Sequence, residues 1–249
     1  MTNTKLFVLK NELGKDFRNY LEMIDGITTI GDDVGNFAIE LLNSLQKEYK
    51  EMKGFHDFKR KLDCNIKLLG DIRDNPALKD KYGVIYNQAL VLLISAFELF
   101  LSNLLKRLID EVPEKVSWKE KKKIGVDLNL LKYYSTTGDL IVKSLGGDPN
   151  FQDFQSTLRF LKDCLEINLT EKLKKQGQEM VILYQAIRHI IIHNSANIDA
   201  GFLKQIRNTK FLEKYEKLKG KKIAFDKKRY EQARRLFIKI VDSILEEII

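Results

Sequence analysis

Arg188, His189 and His193 fall in one short stretch, Arg188-His189-Ile190-Ile191-Ile192-His193. The chemistry such a set can do is narrow. An imidazole takes or gives a proton near neutral pH, and a guanidinium presents a permanently charged planar fork to phosphate oxygens. Phosphodiester cleavage uses both. RNA carries its own nucleophile in the 2′-hydroxyl, so a base, an acid and a cation to hold the developing charge suffice without a metal ion. DNA lacks that internal nucleophile, and the sequence offers no Asp/Glu cluster with a His that would hold metal ions to activate water. Gly-rich phosphate loops, serine nucleophile elbows and kinase signatures are missing, and no cofactor is implied.

The element that positions these residues reads as a helix from about residue 171 to 194. Met180, Leu183, Tyr184, Ile187, Ile190 and Ile191 form its apolar stripe, an ordinary core face. The opposite face gathers Gln178, Val181, Ile182, Gln185, Arg188, His189, Ile192 and His193. Lys, Glu and Asp are absent from 180 to 194, so this second face is expected to be covered rather than open. Arg188 and His193, five residues apart, point about 140° away from each other on an ideal helix. One helix therefore does not focus both, whereas two copies facing each other across a twofold axis would surround one groove with an Arg and a His from each chain. A looser turn at Asn194, a residue that tolerates the left-handed position, would let His193 swing. Residue physics leaves a structural role open as well, with a buried Arg or His satisfied by carbonyls or by an internal acid such as Glu98.

Around this helix the chain reads as α-helical throughout. Leu13, Phe17, Tyr20, Leu21 and Ile24 form one amphipathic segment, and Val34, Phe37, Ala38, Leu41, Leu42, Leu45, Tyr49 and Met52 form another from about residue 33 to 53. The 26–35 stretch, rich in Gly and Asp, reads as a loop between them. Phe55, Phe58, Leu62, Ile66 and Leu69 continue the pattern before Asn75-Pro76 restarts the chain. Residues 1–75 are thus a helical extension. From about 84 to 110 the chain is apolar on nearly every side, the mark of a core helix, and Pro113 ends it. Ser117 to Glu120 has the form of a capping box. Shorter helices are expected around Leu128 to Leu145, and another follows through Phe151, Phe154, Leu158, Leu161, Cys164 and Leu165. Beyond the motif come a turn over 194–201, one or two short helices over 202–219, an extended connector over 221–225 and a last helix capped by Asp226.

Composition agrees with an all-α fold, since 249 residues contain only three prolines and fourteen glycines. Cys64 and Cys164 have no Cys or His neighbour at ligand spacing, so two buried reduced thiols are expected. No signal peptide or membrane span is read, and the cytoplasm is the expected location. A net charge of +8 favours a polyanionic partner. The basic runs at 119–123, 217–222, 227–229 and 234–235 are solvated faces on the plainer reading and an RNA-backbone contact on the sharper one. Trp118, Tyr133 and Tyr134 are assigned to packing rather than base stacking, and His56 to a structural or exposed position.

The Arg188, His189, His193, Asn194 series resembles the motif of the HEPN domains (higher eukaryote and prokaryote nucleotide-binding): Arg, a polar residue, several more, then His. LLISAFELFLSNLL, with Glu98 inside it, resembles an early core helix of these domains, and the stretches RHIIIHNSANID and GKKIAFDKKRYEQARRLF resemble their C-terminal half. The similarity covers about residues 77–249 and leaves 1–75 unexplained. It implies a helical bundle that dimerises through the motif helix, and metal-independent endoribonuclease activity leaving 2′,3′-cyclic phosphate and 5′-hydroxyl ends. Carried over, His193 is the proton-transfer residue, Arg188 the phosphate ligand, His189 the polar helper, and Glu98 a residue that orients one of them, with Asn194 supporting. The resemblance also implies tRNA or mRNA as substrate and a role in phage defence or as the toxin of a toxin–antitoxin pair, with an antitoxin or defence partner. Some members keep the fold as noncatalytic scaffolds for RNA, a nucleotide or a protein, and others are toxins silenced by a nucleotidyltransferase.

Overall fold

The computed structural model describes residues 2–49, 63–64, 67, 76–113, 134, 136–144, 154, 156, 158–159, 162 and 177–248. Among them every regular element is an α-helix: α1 (Thr2–Tyr49), α2 (Pro76–Glu111), α3 (Thr137–Ser144), α4 (Gln178–His193), α5 (Ala200–Gln205), α6 (Leu212–Glu216) and α7 (Lys227–Glu247). The fold is all-α. The expectations for His56, the capping box at 117–120, Trp118, Tyr133, the basic run 119–123 and Cys164 lie outside the described residues. Cys64 is a free thiol but exposed, not buried.

Helix α2 is the hub, in contact with α1, α3, α4 and α7. Ala89, Leu90, Leu93, Ile94, Phe97, Leu101, Leu104 and Leu108 are buried along it, spread over more than one face as its all-round apolar sequence requires. By length and composition, Val84–Glu111 is also apolar enough to cross a membrane, which the sequence reading did not expect. In this fold much of its apolar surface is covered by neighbouring helices. The centre of the core is aromatic. Phe97 packs against Phe237 with ring centroids 5.0 Å apart and against Phe154 at 6.2 Å, and Tyr184 of α4 reaches Phe225 at 5.8 Å and Phe237 at 6.5 Å. Each such ring, fully buried, contributes about 1.5–3 kcal/mol. This cluster fixes α4 against both α2 and α7.

Helix α1 corrects the sequence reading. The 26–35 stretch is not a loop: the helix runs through it without interruption. Glycine lowers helix stability by about 1 kcal/mol per residue but does not end a helix, and neither proline nor a left-handed residue occurs there. The Thr28 and Thr29 hydroxyls bond back to the carbonyls of Asp25 and Gly26, a side-chain habit compatible with a continuous helix. Leu6, Leu9, Leu13, Phe17, Leu21 and Ile24 belong to the same core cluster as α2, α4 and α7. Asp25 then ties α1 to α7, accepting from the Tyr230 hydroxyl at 3.0 Å and pairing with Arg234 at 2.8 Å.

The motif helix is shorter than its periodicity implies. It begins at Gln178 rather than near 171, because Gly177 takes φ 112°, a left-handed conformation that breaks the helical path and that glycine adopts without steric cost. Asp226 caps α7 as expected, accepting from the Arg229 amide at 2.8 Å. The turn after the motif ends earlier than the predicted 201. Asp199 caps α5 through the Phe202 amide at 2.7 Å, so Gly201 already lies inside a helix.

Candidate functional site

The two flanks of α4 have different surroundings. Leu183, Tyr184, Ile187 and Ile190 are buried, as the apolar stripe requires. Of the opposite face, Val181 is fully buried, while Gln185 and Arg188 are half-buried beside α2 and the Phe154 segment. His189, Ile192 and His193 are exposed. The expected covering is therefore only half present in a single chain, because α2 reaches the near edge of this face and not the far one. Ile192, 45% exposed in so apolar a helix, lies between the two imidazoles in sequence.

On the near edge, Arg188 faces Glu98 of α2, the internal acid singled out from the sequence. Nη2 and Oε2 are 3.7 Å apart, and each side chain is only 16% exposed. That is an ion pair at the outer limit of contact, too long for a hydrogen bond. The Arg188 Nε is buried and has no acceptor among the described residues. Burial pushes the Glu98 carboxyl above its ordinary value, and the guanidinium charge pulls it back without overcoming the burial. Nearly one turn toward the N-terminus, Gln185 accepts from the Phe154 amide at 3.2 Å through Oε1, while its Nε2 is buried without a partner among the described residues. Two unmet donors, Gln185 Nε2 and Arg188 Nε, thus occur on the same face three residues apart. Sequence reading placed Gln185 on that face but gave it no role, since a glutamine at a helical position carries no signal of what it will meet.

On the far edge, His189 and His193 form a pair. Their ring centroids are 4.7 Å apart with an interplanar angle of 47°. This is the contact that i,i+4 spacing permits, and Arg188 with His193 does not have it. One chain therefore brings together the two imidazoles, and separately Arg188 with Glu98. Along the helix axis Arg188 and His193 differ by about 7.5 Å.

Asn194 does not provide the expected left-handed swing point. The helix holds through His193, Asn194 has φ −136°, and the left-handed residues are Ser195 at φ 49° and Ala196 at φ 63°. The Asn194 side chain instead locks the turn, donating from Nδ2 to the Asn197 carbonyl and to Asp199 Oδ2, both at 3.0 Å. Asn197 returns a bond from its own Nδ2 to the Asn194 carbonyl at 2.8 Å. His193 is thus presented by a well-tied helix end. The Asn and Asp content of this stretch was the available sign, because these side chains build turns through local hydrogen bonds.

Chemically, the arrangement offers two adjacent imidazoles open to solvent and, on the other edge of the same helix, a cation whose ion pair with Glu98 is as long as 3.7 Å. Among the described residues, no group of three or more His, Cys, Asp or Glu side chains is placed to hold a metal ion. Comparison of the chain with protein-family models, with curated proteins and with solved structures gives no match.

Proposed function

We propose that this chain is a metal-independent endoribonuclease of the HEPN type, active as a homodimer whose groove combines residues of both motif helices. The observation that carries the reading is the exposed His189–His193 pair on the same helix as the incompletely satisfied Arg188. In the proposed reaction an imidazole takes the proton of a ribose 2′-hydroxyl, and the 2′-oxygen forms a bond to the adjacent phosphorus. The bond from phosphorus to the 5′-oxygen breaks, and a second imidazole gives that oxygen a proton. The products are a 2′,3′-cyclic phosphate and a 5′-hydroxyl, and the reaction consumes no co-reactant. Arg188 holds the non-bridging oxygens, where charge builds most. Glu98 positions Arg188, and Asn194 holds the end of the helix in place.

The exposed strip of His189, Ile192 and His193 is the surface on which the second chain would sit, and a twofold contact would present both imidazole pairs to one groove. Substrates in this reading are tRNA or mRNA in the cytoplasm, and the biological setting is phage defence or a toxin–antitoxin pair. The decisive test is incubation of the purified chain with total RNA in EDTA, followed by sequencing of new 5′-hydroxyl ends. Ends that appear with the unaltered chain and vanish with His193→Ala and with Arg188→Ala, at unchanged oligomeric state, support it. Cleavage by both variants at the original rate sinks it.

A second reading has one observation in its favour. Arg188 is mostly covered and paired, however loosely, with Glu98 inside the fold, which is also what a structural arginine would do. On that reading the chain is a noncatalytic HEPN-type scaffold binding RNA, a nucleotide or a protein. It would bind RNA and leave it intact.

A further inference from the structure

The strongest basic run in the sequence is not absorbed by the site above, and the fold brings it next to the site. Residues 204–229 hold eleven Lys and Arg against three Asp and Glu, a net +8 that equals the charge of the whole chain. Within this segment the turn 217–222 is stitched to the turn that follows His193. The Ile198 amide donates to the Lys221 carbonyl at 3.1 Å, the Gly220 amide to the Ile198 carbonyl at 2.9 Å, and the Ile223 amide to the Ala196 carbonyl at 2.9 Å. Asn197 and Lys222 form an antiparallel bridge. Gly220 makes the reversal possible with φ +81°.

Lys217, Lys219, Lys221 and Lys222 are all exposed, and none makes an ion pair among the described residues. Elsewhere cations are tied down, as Lys106 is by Asp139 at 2.7 Å and Arg107 by Glu111 and Glu12 at 2.7 Å each. Four unpaired ammonium groups on one short turn repel one another, and a polyanion relieves that repulsion. The nearby rings do not serve as stacking platforms. Tyr215 is buried, and Phe211 is half-buried with Lys210 over its ring. The surface is therefore suited to a phosphate backbone rather than to base edges or base faces.

We propose that the 217–222 turn is the phosphate track for the RNA strand flanking the cleavage position, with Lys217, Lys219, Lys221 and Lys222 contacting successive backbone phosphates next to His193. This rests on the ribonuclease reading for its location relative to the cut, and its recognition is sequence-tolerant. A rigid attachment to the turn after His193 gives the track a fixed register on the motif helix, which lysines on a free tail would not have.

The test uses the full chain carrying His193→Ala, so that binding is measured without cleavage. Binding of a fluorescent single-stranded oligouridylate is followed by anisotropy over a potassium chloride series. The variant K217Q/K219Q/K221Q/K222Q is compared with K5Q/K15Q/K67Q/K239Q, which removes four exposed lysines elsewhere. Circular dichroism and thermal unfolding check that both retain the fold. The track predicts on the order of tenfold weaker binding for the first variant at low salt, and a slope of log affinity against log salt reduced by roughly 2–3, as four lost phosphate contacts require. The second variant should bind as its parent does. Equal losses in the two variants, an unchanged slope in the first, or no binding of RNA by the parent would each overturn the proposal. So would loss of binding to phosphatidylserine vesicles in the first variant with RNA binding intact, since that marks a lipid surface. If the EDTA assay shows no cleavage while these binding differences hold, the catalytic reading fails and the phosphate track stands.

Discussion

The near and far edges of α4 belong to the same sixteen-residue helix and differ in what covers them. Gln185 and Arg188 are enclosed by α2 and the Phe154 segment, whereas His189, Ile192 and His193 meet solvent. Adjacent residues, Arg188 and His189, fall on opposite sides of this divide. Burial makes charge expensive on the near edge, which explains the raised Glu98 carboxyl and the importance of each unmet donor there. On the far edge the two imidazoles meet water, and no such burial cost applies. The lesson is that a helix can hold its cation within the fold and its imidazoles outside it, since adjacent residues stand about 100° apart around its axis.

The sharpest way to break this contrast is to alter one side and look for effects on the other. His193→Ala should lower RNA cleavage by about 10²–10⁴-fold, the range for loss of a positioned proton-transfer group, while urea denaturation shows stability within about 0.5 kcal/mol of the parent. Comparable loss of stability would mean that the far edge is structural. Ile190→Ala on the core stripe should do the reverse and cost about 2–5 kcal/mol in urea denaturation, since Ile190 is fully buried. Ile192→Ala, on the open edge two residues away, should cost under about 0.5 kcal/mol within one chain and instead weaken self-association measured by analytical ultracentrifugation. An unchanged association constant would remove this strip from the dimer contact.

Glu98 tests the near edge through pH. Its carboxyl is raised in the folded protein, so the folded state holds the proton more tightly than the unfolded chain. The stability this contributes is fully present below the ordinary value of 4.5 and is lost as pH rises through the folded value. Glu98→Gln removes that dependence. The stability of the parent relative to this variant should therefore fall from pH 4 toward neutrality in urea titrations, and a flat difference would place Glu98 in water. The smallest expected effect on cleavage belongs to Asn194→Ala, which loses two bonds that lock the turn and should cost about 1 kcal/mol of stability. Differential scanning calorimetry would detect it, and cleavage should fall modestly if the helix end positions His193.

Much of the fold was legible because periodicity is local. The stripe through Leu183, Tyr184, Ile187 and Ile190, the all-round apolar α2 and the Asp226 cap follow from the 3.6-residue repeat and from capping chemistry. Where the reading failed, a weak local signal met a tertiary decision. Gly26 and its neighbours looked like a loop, yet a helix anchored through Leu6 to Ile24 and tied by Asp25 to α7 continues past them. Conversely, Gly177, in a left-handed conformation, starts the motif helix at Gln178, later than its periodicity suggests.

For the candidate site, the residue types and their spacing alone determined that an Arg and two His share one helix and that His189 and His193 can touch, because i,i+4 geometry is intrinsic to the helix. Which of them is enclosed, that Arg188 meets Glu98 from a helix ninety residues away, and that the 217–222 lysines lie against the turn after His193 were decided by tertiary structure. These are contacts between segments distant in sequence. They arise when α2, α4 and α7 close around the Phe97 cluster, and no local pattern encodes them.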